Sequence, residues 1–444
     1  MPLFRELSTK YETRIWLNNP ELGLIDTLLD AHPELLEYVR EDITRGQKSS
    51  NFGRGDMPSV EQIFRAAIYK EIKQLDYRGL EEAQDDSRSC AAFIRLDPNR
   101  YYSFQMYQSY ISKISEESLG KVMVLLNKIA IDEGLESVEQ FRQDSFVVES
   151  DIHYPTNNSL VWDCIKESHR LLVQLSKEVS ELTYQNYLKG AKKTYFKINN
   201  TKSGDKRVNL FIKQLILFTK TINNVSNAVK KKLEVSLVGQ GIITAMEHLL
   251  PVMNQVFNMS CQKEVAGEAV PNDQKLFSIY ELHTDIIVKG SREIKFGHKV
   301  NIGTGKSNLI LVCEILKGNP ADSTLYQQTI DQLIDSYGKT PRDSATDGGF
   351  ASKANAEYAQ GKGIVNIVFN KIVGSLKNIV TSKNMETRLK KWRSGIEANI
   401  SNLIRGYKLT RCSWKGLEHF KSKVLWSVIA YNVRVMTSAI LKQV

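Results

Sequence analysis

The second half of the chain alternates short runs of β-branched and aromatic residues with segments of helical periodicity. The strand-type runs lie at 277–280, 285–288, 293–302, 308–316, 341–347 and 364–369. An amphipathic helical pattern at 322–337 and a second helix at 351–361 separate the last three runs. Because short links join antiparallel strands and intervening helices join parallel ones, this order predicts an α/β fold with a mixed sheet.

The first half is mainly helical, with one isolated strand-type run at Phe146-Val-Val148. Ser59-Val-Glu-Gln62 predicts a capping box at a helix start within residues 1–136. Near-heptad apolar spacing at 158–270 predicts two long paired helices, joined by a basic polar link at 189–207. A solvated helical face is the simpler interpretation of that charge, and DNA contact is the alternative.

The chain is basic overall, with 60 Lys and Arg against 50 Asp and Glu and a formal net charge of +10. The excess is concentrated after residue 352, where seventeen Lys and Arg accompany four Glu. Such charge favours a polyanionic partner, because Lys and Arg that neutralise phosphates release condensed counterions. The five cysteines lack zinc-ligand spacing, and no window approaches eighteen uninterrupted apolar residues. We therefore expect a cytoplasmic protein with reduced thiols and no membrane span.

One glycine-rich segment imitates a phosphate-binding loop. Gly303-Thr-Gly-Lys-Ser307 ends like such a loop, but Val300 stands where the motif needs its first glycine. The segment also joins two strand-type runs instead of opening a helix, so it predicts a hairpin turn. We therefore do not expect an ATP site here.

Three acidic residues stand in positions that suggest chemistry. Asp144 directly precedes the apolar strand run, and Asp347 follows another run in Thr346-Asp-Gly-Gly349. Glu397 lies in the strongly basic segment after residue 352. Phosphodiester chemistry can use two divalent metals held by carboxylates, because Mg²⁺ prefers hard oxygen ligands. The three acids together predict a metal-dependent phosphoryl-transfer centre.

A helical pattern surrounds Glu397. It consists of apolar residues on one stripe: Leu389, Trp392, Ile396, Ile400 and Leu403. Glu397 lies at the border of this stripe, with Arg393 one turn earlier on the same side. An acid at such a border can point into a cleft while its helix packs on the core.

Each acid also has a simpler interpretation. Asp347 fits a plain turn, and Glu397 fits a solvated helix position. Asp151 and Asp163 compete with Asp144 for the upstream position, although Asp144 alone of the three directly precedes the apolar run.

The motifs around these acids resemble those of the bacterial insertion-sequence DDE transposases. The matching segments are Asp144-Ser, Asp347-Gly-Gly-Phe-Ala-Ser352, Arg393-Ser-Gly-Ile-Glu397 and Gly406-Tyr-Lys-Leu-Thr-Arg411. In that family a ribonuclease-H-like core places the first Asp on a central strand, the second at a strand end and the Glu on a helix. The resemblance implies that Asp144, Asp347 and Glu397 are catalytic ligands of Mg²⁺ or Mn²⁺, as two ions. It also implies cleavage of transposon inverted-repeat ends and strand transfer to target DNA.

The resemblance further implies double-stranded DNA as partner, a homodimer in the synaptic complex and a bacterial cytoplasmic location. The expected DNA contacts are basic residues near and after the third acid: Arg393, Arg405, Lys408, Arg411 and Lys415. Two positions depart from the family signature, since Lys390 replaces its Tyr and Ile404 replaces its Lys. Trp414 beside Lys415 fits either base stacking or helix docking.

The spacing of the acids predicts the domains. Asp144 and Asp347 are too far apart for two strands and a helix, so the helical segment between them is expected to be an insertion. We predict a DNA-binding helical domain at 1–136, a ribonuclease-H-like core at 137–157 and 275–444, and a helical insertion at 158–274. The insertion serves either DNA contact or dimer formation. An inactive transposase-derived DNA-binding protein and a ribonuclease-H-like nuclease are the alternative functions.

Overall fold

The computed structural model describes residues 14–45, 57–231, 234–289, 293–372 and 376–442. The chain divides into two compact units, Met1–Asp151 with Asp285–Val444, and Ile152–Thr284. We call them the core unit and the helical unit. The DNA-binding, catalytic and insertion roles that the sequence suggests for segments of these units remain predictions.

Among the described residues, eight helices precede the first strand of the core unit. They are α1 (Arg14–Asn18), α2 (Pro20–Ala31), α3 (Leu35–Thr44), α4 (Val60–Ile72), α5 (Tyr77–Asp86), α6 (Arg88–Phe93), α7 (Phe104–Ile111) and α8 (Glu116–Asp132). The predicted capping box starts α4: the Ser59 hydroxyl accepts from Gln62 N, and the Gln62 side chain accepts from Ser59 N. These reciprocal bonds satisfy two backbone donors that the helix itself leaves unpaired.

The first strand, β1 (Gln140–Ser150), precedes the helical unit. That unit contains α9 (Asn157–Glu178), α10 (Leu188–Asn199), α11 (Asp205–Lys230) and α12 (Leu237–Ser260). The prediction of a polar link at 189–207 was wrong, because Ala191 and Ile198 are buried seven residues apart and give α10 an apolar face. The predicted strand at 277–280 was also wrong, since the Ser278 hydroxyl accepts from Tyr280 N and Glu281 N in a local turn.

In the part of the chain that the structure describes, six further strands form a mixed sheet with β1. They are β2 (Asp285–Lys289), β3 (Glu293–Thr304), β4 (Ile310–Ile315), β5 (Asp343–Asp347), β6 (Asn366–Asn370) and β7 (Arg411–Cys412). The order is β2-β3-β1-β5-β6, with β4 also paired to β3 and β7 to β1. The pairs among β1 to β4 are antiparallel, whereas β5, β6 and β7 join in parallel. The predicted mixed α/β sheet is confirmed.

The remaining helices of the core unit are α13 (Asp322–Tyr337), α14 (Lys353–Gly361), α15 (Lys383–Arg393), α16 (Gly395–Gly406) and α17 (Leu417–Leu441). Helix α17 is long and apolar enough to cross a membrane, but 72% of its most apolar 18-residue stretch is buried within the protein. An all-round apolar helix of this kind is expected at the centre of a large core. Its Trp426 is fully buried and packs on Phe64 of α4.

The loop that imitates a phosphate site is filled by a carboxylate of the chain itself. Backbone N–H groups of Lys306 and Ser307 donate to Glu136, as do those of Ser137 and Val138. A Cβ on Gly305 would lie 2.3 Å from a Glu136 oxygen. The segment joins β3 to β4, so the structure supports the expected hairpin link, with the loop's anion site occupied internally.

Candidate active site

The pairing of β5 with β1 places the two aspartates side by side. Thr346 lies opposite Gln143 in this parallel pairing. Asp347 and Asp144 are the next residues, on strands that neighbour each other at about 4.8 Å. Asp347 is the last residue of β5, so its carboxylate stands at a strand end, as predicted.

The glycine after Asp347 is required by close packing. A Cβ on Gly348 would lie 2.7 Å from the carbonyl oxygen of Asn370 and 2.6 Å from that of Lys371. The turn therefore passes against the end of β6, and Phe350 at its far end is fully buried. The segment after Asp347 therefore packs closely against the end of the sheet. It is more than a plain surface turn.

Glu397 comes from a helix start instead of a helix middle. The single helix predicted across Leu389–Leu403 is interrupted at Ser394, so Glu397 lies in the first turn of α16. Arg142 of β1 explains the break, because its guanidinium donates to the carbonyl oxygen of Trp392, near the end of α15. A Cβ on Gly395 would lie 2.3 Å from that guanidinium, so glycine fits there without disturbing it.

Arg142 is one of the largest fully buried side chains in the core unit. It also donates to Thr304 and Asn308, and its guanidinium lies 4.7 Å from the centre of the Trp392 ring. Burial lowers the pKa of Arg142 to about 10. These contacts fix the α15–α16 junction against β1, and with it the positions of Arg393 and Glu397.

The three predicted acids converge on one guanidinium, that of Arg393. Its Nη2 lies 2.7 Å from Asp144 and 3.7 Å from Asp347, and its Nη1 lies 3.0 Å from Glu397. The Arg393 side chain is 7% exposed, whereas the acids are 19%, 42% and 67% exposed in chain order. The structure thus brings together three carboxylates from β1, β5 and α16 at an open surface.

The cluster consists of three carboxylates and one guanidinium, so acidic groups outnumber the basic group within it. Carboxylate oxygens are the ligands that Mg²⁺ prefers, so the donor set fits a divalent cation. As arranged, however, Arg393 holds the acids, and within the described ranges no group of three His, Cys, Asp or Glu side chains is poised to hold a metal. Arg393 Nε has no hydrogen-bond partner among the described residues, so the guanidinium is incompletely satisfied.

The competitors of Asp144 lie elsewhere. Asp151 lies 3.9 Å from Arg411 and is 59% exposed, one residue beyond the end of β1. Asp163 belongs to the helical unit, where it pairs with His153 and Lys166. Among the three candidates, Asp144 is the one that contacts Arg393 in the described structure.

A second acid–base pair beside β1 was missed from the sequence. Asp322, at the start of α13, lies 2.6 Å from the Lys299 ammonium and accepts from the Ser145 hydroxyl at 3.0 Å. A Cβ on Gly349 would lie 3.1 Å from the same carboxylate. Asp322 therefore fixes the side chain of Ser145, next to Asp144, and lies close to the backbone of Gly349, two residues after Asp347. The only sequence signal was a lysine within a strand-type run.

The predicted DNA contacts after α15 are exposed. Arg405, Lys408, Arg411 and Lys415 all present their side chains to solvent, unlike Arg393. The last three line a cavity of about 730 Å³ that also includes Tyr77 and Trp414. Trp414 stacks on Tyr77 with ring centres 5.9 Å apart, so one face of its ring is already used for docking.

Comparison with known proteins agrees with this geometry. Residues 287–433 match the family model described as "Transposase DDE domain". The searches of curated proteins and of solved structures each gave no match. The matched segment includes Asp347, Arg393 and Glu397, and it begins after Asp144. Residues 287–433 are thus similar to a transposase DDE domain, and the mixed sheet of the core unit is consistent with a ribonuclease-H-like core.

Proposed function

We propose that the protein is a DNA transposase that cleaves the inverted-repeat ends of an insertion sequence and transfers them to target DNA. Asp144, Asp347 and Glu397 are its catalytic carboxylates in this proposal. The observation that carries it is their convergence, from three separate elements, on the single guanidinium of Arg393. Carboxylate oxygens brought together in this way are suited to hold a divalent metal ion.

The three acids would hold Mg²⁺ or Mn²⁺, as two ions, which supply Lewis-acid stabilisation and an activated nucleophile when bound. Arg393 occupies the position between the acids and must withdraw from at least some of them for that to happen. A guanidinium released at this point is suited to a DNA phosphate, which it can bind through two parallel hydrogen bonds. Arg142 and Asp322 keep the backbone around the acids in place during this exchange.

DNA would continue from the acids along α16. This helix carries Glu397 in its first turn and ends at Gly406, so it covers about 18 Å. Its far end leads to four exposed cations that would contact the phosphate backbone: Arg405, Lys408, Arg411 and Lys415. The helices of residues 1–136 would add further DNA contacts, and synapsis of two ends would use a homodimer.

An end-cleavage assay with Mg²⁺ tests this function on a duplex that carries the terminal inverted repeat. We expect Asp144→Asn, Asp347→Asn and Glu397→Gln to lose more than about 100-fold in rate, beyond what supporting residues of a metal site cost. Asp151→Asn serves as the matched control and should cleave like the wild type.

Three outcomes would contradict parts of the proposal. Full activity in any of the three acid variants removes that residue from the catalytic set. DNA binding without cleavage by the wild type indicates an inactive transposase-derived binding protein. Cleavage that ignores the terminal repeat indicates a nuclease on the same fold.

A further inference from the structure

One face of α10 in the helical unit is almost entirely lysine. Lys189, Lys192, Lys193 and Lys197 recur with the spacing of a single helix face, and Phe196 lies among them. All five are exposed, and Phe196 keeps 52% of its surface open to solvent. In the described structure none of the four lysines forms an ion pair with an acid.

The neighbouring helix α11 continues this basic surface. Lys206, Lys213 and Lys220 recur every seven residues along its exposed side, beside the partly exposed Ile216. The Lys220 ammonium lies 5.7 Å from the centre of the Tyr187 ring, directly before α10. The α11 row thus adjoins the start of α10. We call the seven lysines together the α10–α11 face.

Positive and negative charges are distributed unevenly along the helical unit. Residues 188–230 contain ten Lys and Arg and a single acid, Asp205, whereas the other 90 residues of the unit contain seven Lys and Arg and ten acids. An ordinary solvated helix mixes both signs, as α9 does with its Arg170–Glu167 and Lys166–Asp163 pairs. The α10–α11 face lacks this compensation, which indicates an external polyanion.

We propose that the α10–α11 face binds the phosphate backbone of duplex DNA. Duplex DNA carries one charge per about 1.7 Å of helix axis, so phosphates are available to each lysine along α10 and α11. Lysine is a flexible point charge without the planar fork of arginine, so the contacts position the duplex and do not read its sequence. This inference rests on the proposed function and assigns DNA contact, not dimer formation, to the inserted helices.

A lipid surface is the competing occupant for a basic helix. Interfacial helices present a broad apolar face of large side chains opposite their charged face. Here the sides of α10 and α11 opposite the lysines are buried in the unit, by Ala191 and Ile198 in α10 and by Phe218 and Val225 in α11. The face that remains is dominated by lysine, with Phe196 and Ile216 as separate apolar side chains instead of a broad apolar surface, which favours the DNA duplex.

The test is the salt dependence of duplex binding by the full chain, with a labelled duplex that lacks the inverted repeat. The variant changes four lysines of α10 to glutamine: K189Q, K192Q, K193Q and K197Q. Each lost phosphate contact lowers the slope of log affinity against log salt by about 0.9, so we expect a slope smaller by about 3 to 4. Between 50 and 200 mM salt, the fall in wild-type affinity should then exceed that of the variant by about 100-fold.

The control variant changes four exposed lysines elsewhere and removes the same charge: K177Q, K263Q, K317Q and K339Q. Its slope should stay near that of the wild type. Lysine and glutamine have similar helix propensity, so both variants should unfold like the wild type. If the α10 variant fails to fold, the pair K192Q and K193Q replaces it, with an expected change of about 2 in slope.

An unchanged slope in the α10 variant, or an equal change in the control, overturns the proposal. So does a loss confined to binding of phosphatidylserine vesicles, because the partner would then be a lipid surface. The binding assay needs no cleavage. A wild type that never cuts, together with a reduced slope in the α10 variant, contradicts the proposed chemistry and supports the DNA-binding face.

Discussion

Glu136 and the three acids around Arg393 both place negative charge beside glycine-containing turns, yet their surroundings differ. Four backbone N–H groups and the Ser307 hydroxyl hold Glu136, which is almost fully buried. The acids around Arg393 are more exposed and share one side-chain cation. Backbone donors cannot leave, whereas a side chain can rotate away. The first arrangement therefore builds the fold, and the second can exchange its partner.

The largest expected effect on stability is at Glu136. We expect Glu136→Gln to lower the free energy of unfolding by about 4 kcal/mol, because it removes a buried charge that several donors require. Asp347→Asn, at the exposed site, should change it by less than about 0.5 kcal/mol. Urea unfolding of both variants measures the difference. Equal losses of stability in the two variants would contradict the distinction between a structural carboxylate at Glu136 and an exchangeable one at Asp347.

A further carboxylate, Glu71, extends the comparison to the effect of pH. Burial alone would raise its pKa, but contacts with Lys423 and Lys70 lower the pKa to about 2. A lowered pKa in the folded state gives stability that is complete above the unfolded pKa near 4.5 and is lost as pH falls toward 2. The loss should reach about 3 kcal/mol.

Unfolding measured between pH 5 and 2.5 checks this expectation. In Glu71→Gln the acid-dependent loss should be smaller, with lower stability at neutral pH. The exposed Glu357→Gln serves as control and should follow the wild-type pH profile. If Glu71→Gln kept the wild-type pH profile, the ion pairs of Glu71 with Lys70 and Lys423 would not cause the loss of stability in acid.

A smaller effect is expected at Arg142, which fixes the α15–α16 junction. Arg142→Lys keeps the charge but loses the planar fork that reaches Thr304, Trp392 and Asn308, so we expect a loss of about 2 kcal/mol. Cleavage should fall about 10-fold or more, as for other residues that orient metal ligands. The control Arg342→Lys, at an exposed position, should change neither the free energy of unfolding nor the cleavage rate. Normal cleavage in Arg142→Lys would separate this residue from the active site.

Strands β2, β3, β4 and β6 of the core unit were predictable because they are rich in β-branched and other apolar residues, whereas the two-residue strand β7 lies in a segment that was expected to be helical. Asp347 was also placed at a strand end, although Thr346 is the one β-branched residue of β5. Helix α10 was not recognised, because only Ala191 and Ile198 mark its buried face among many lysines. Its many lysines obscured the helical apolar pattern, and its stability comes mainly from packing on neighbouring helices.

The features that remained hidden depend on contacts between distant residues. The break at Ser394 depends on Arg142, about 250 positions earlier, so no local pattern announces it. The pairing of Asp322 with Lys299 and Ser145 likewise joins separate elements. The sequence identified the three acids, but it did not reveal that Arg393 lies at their centre.

The most direct test of the exchangeable acid site is Mn²⁺ binding to the full chain without DNA, measured by titration calorimetry. Arg393→Gln removes the competing cation, and we expect it to bind Mn²⁺ about five-fold more tightly than the wild type, equivalent to about 1 kcal/mol. Asp347→Asn should bind more weakly, and the exposed Arg388→Gln should match the wild type. Wild-type affinity in both Arg393→Gln and Asp347→Asn would contradict a shared cation site at these acids.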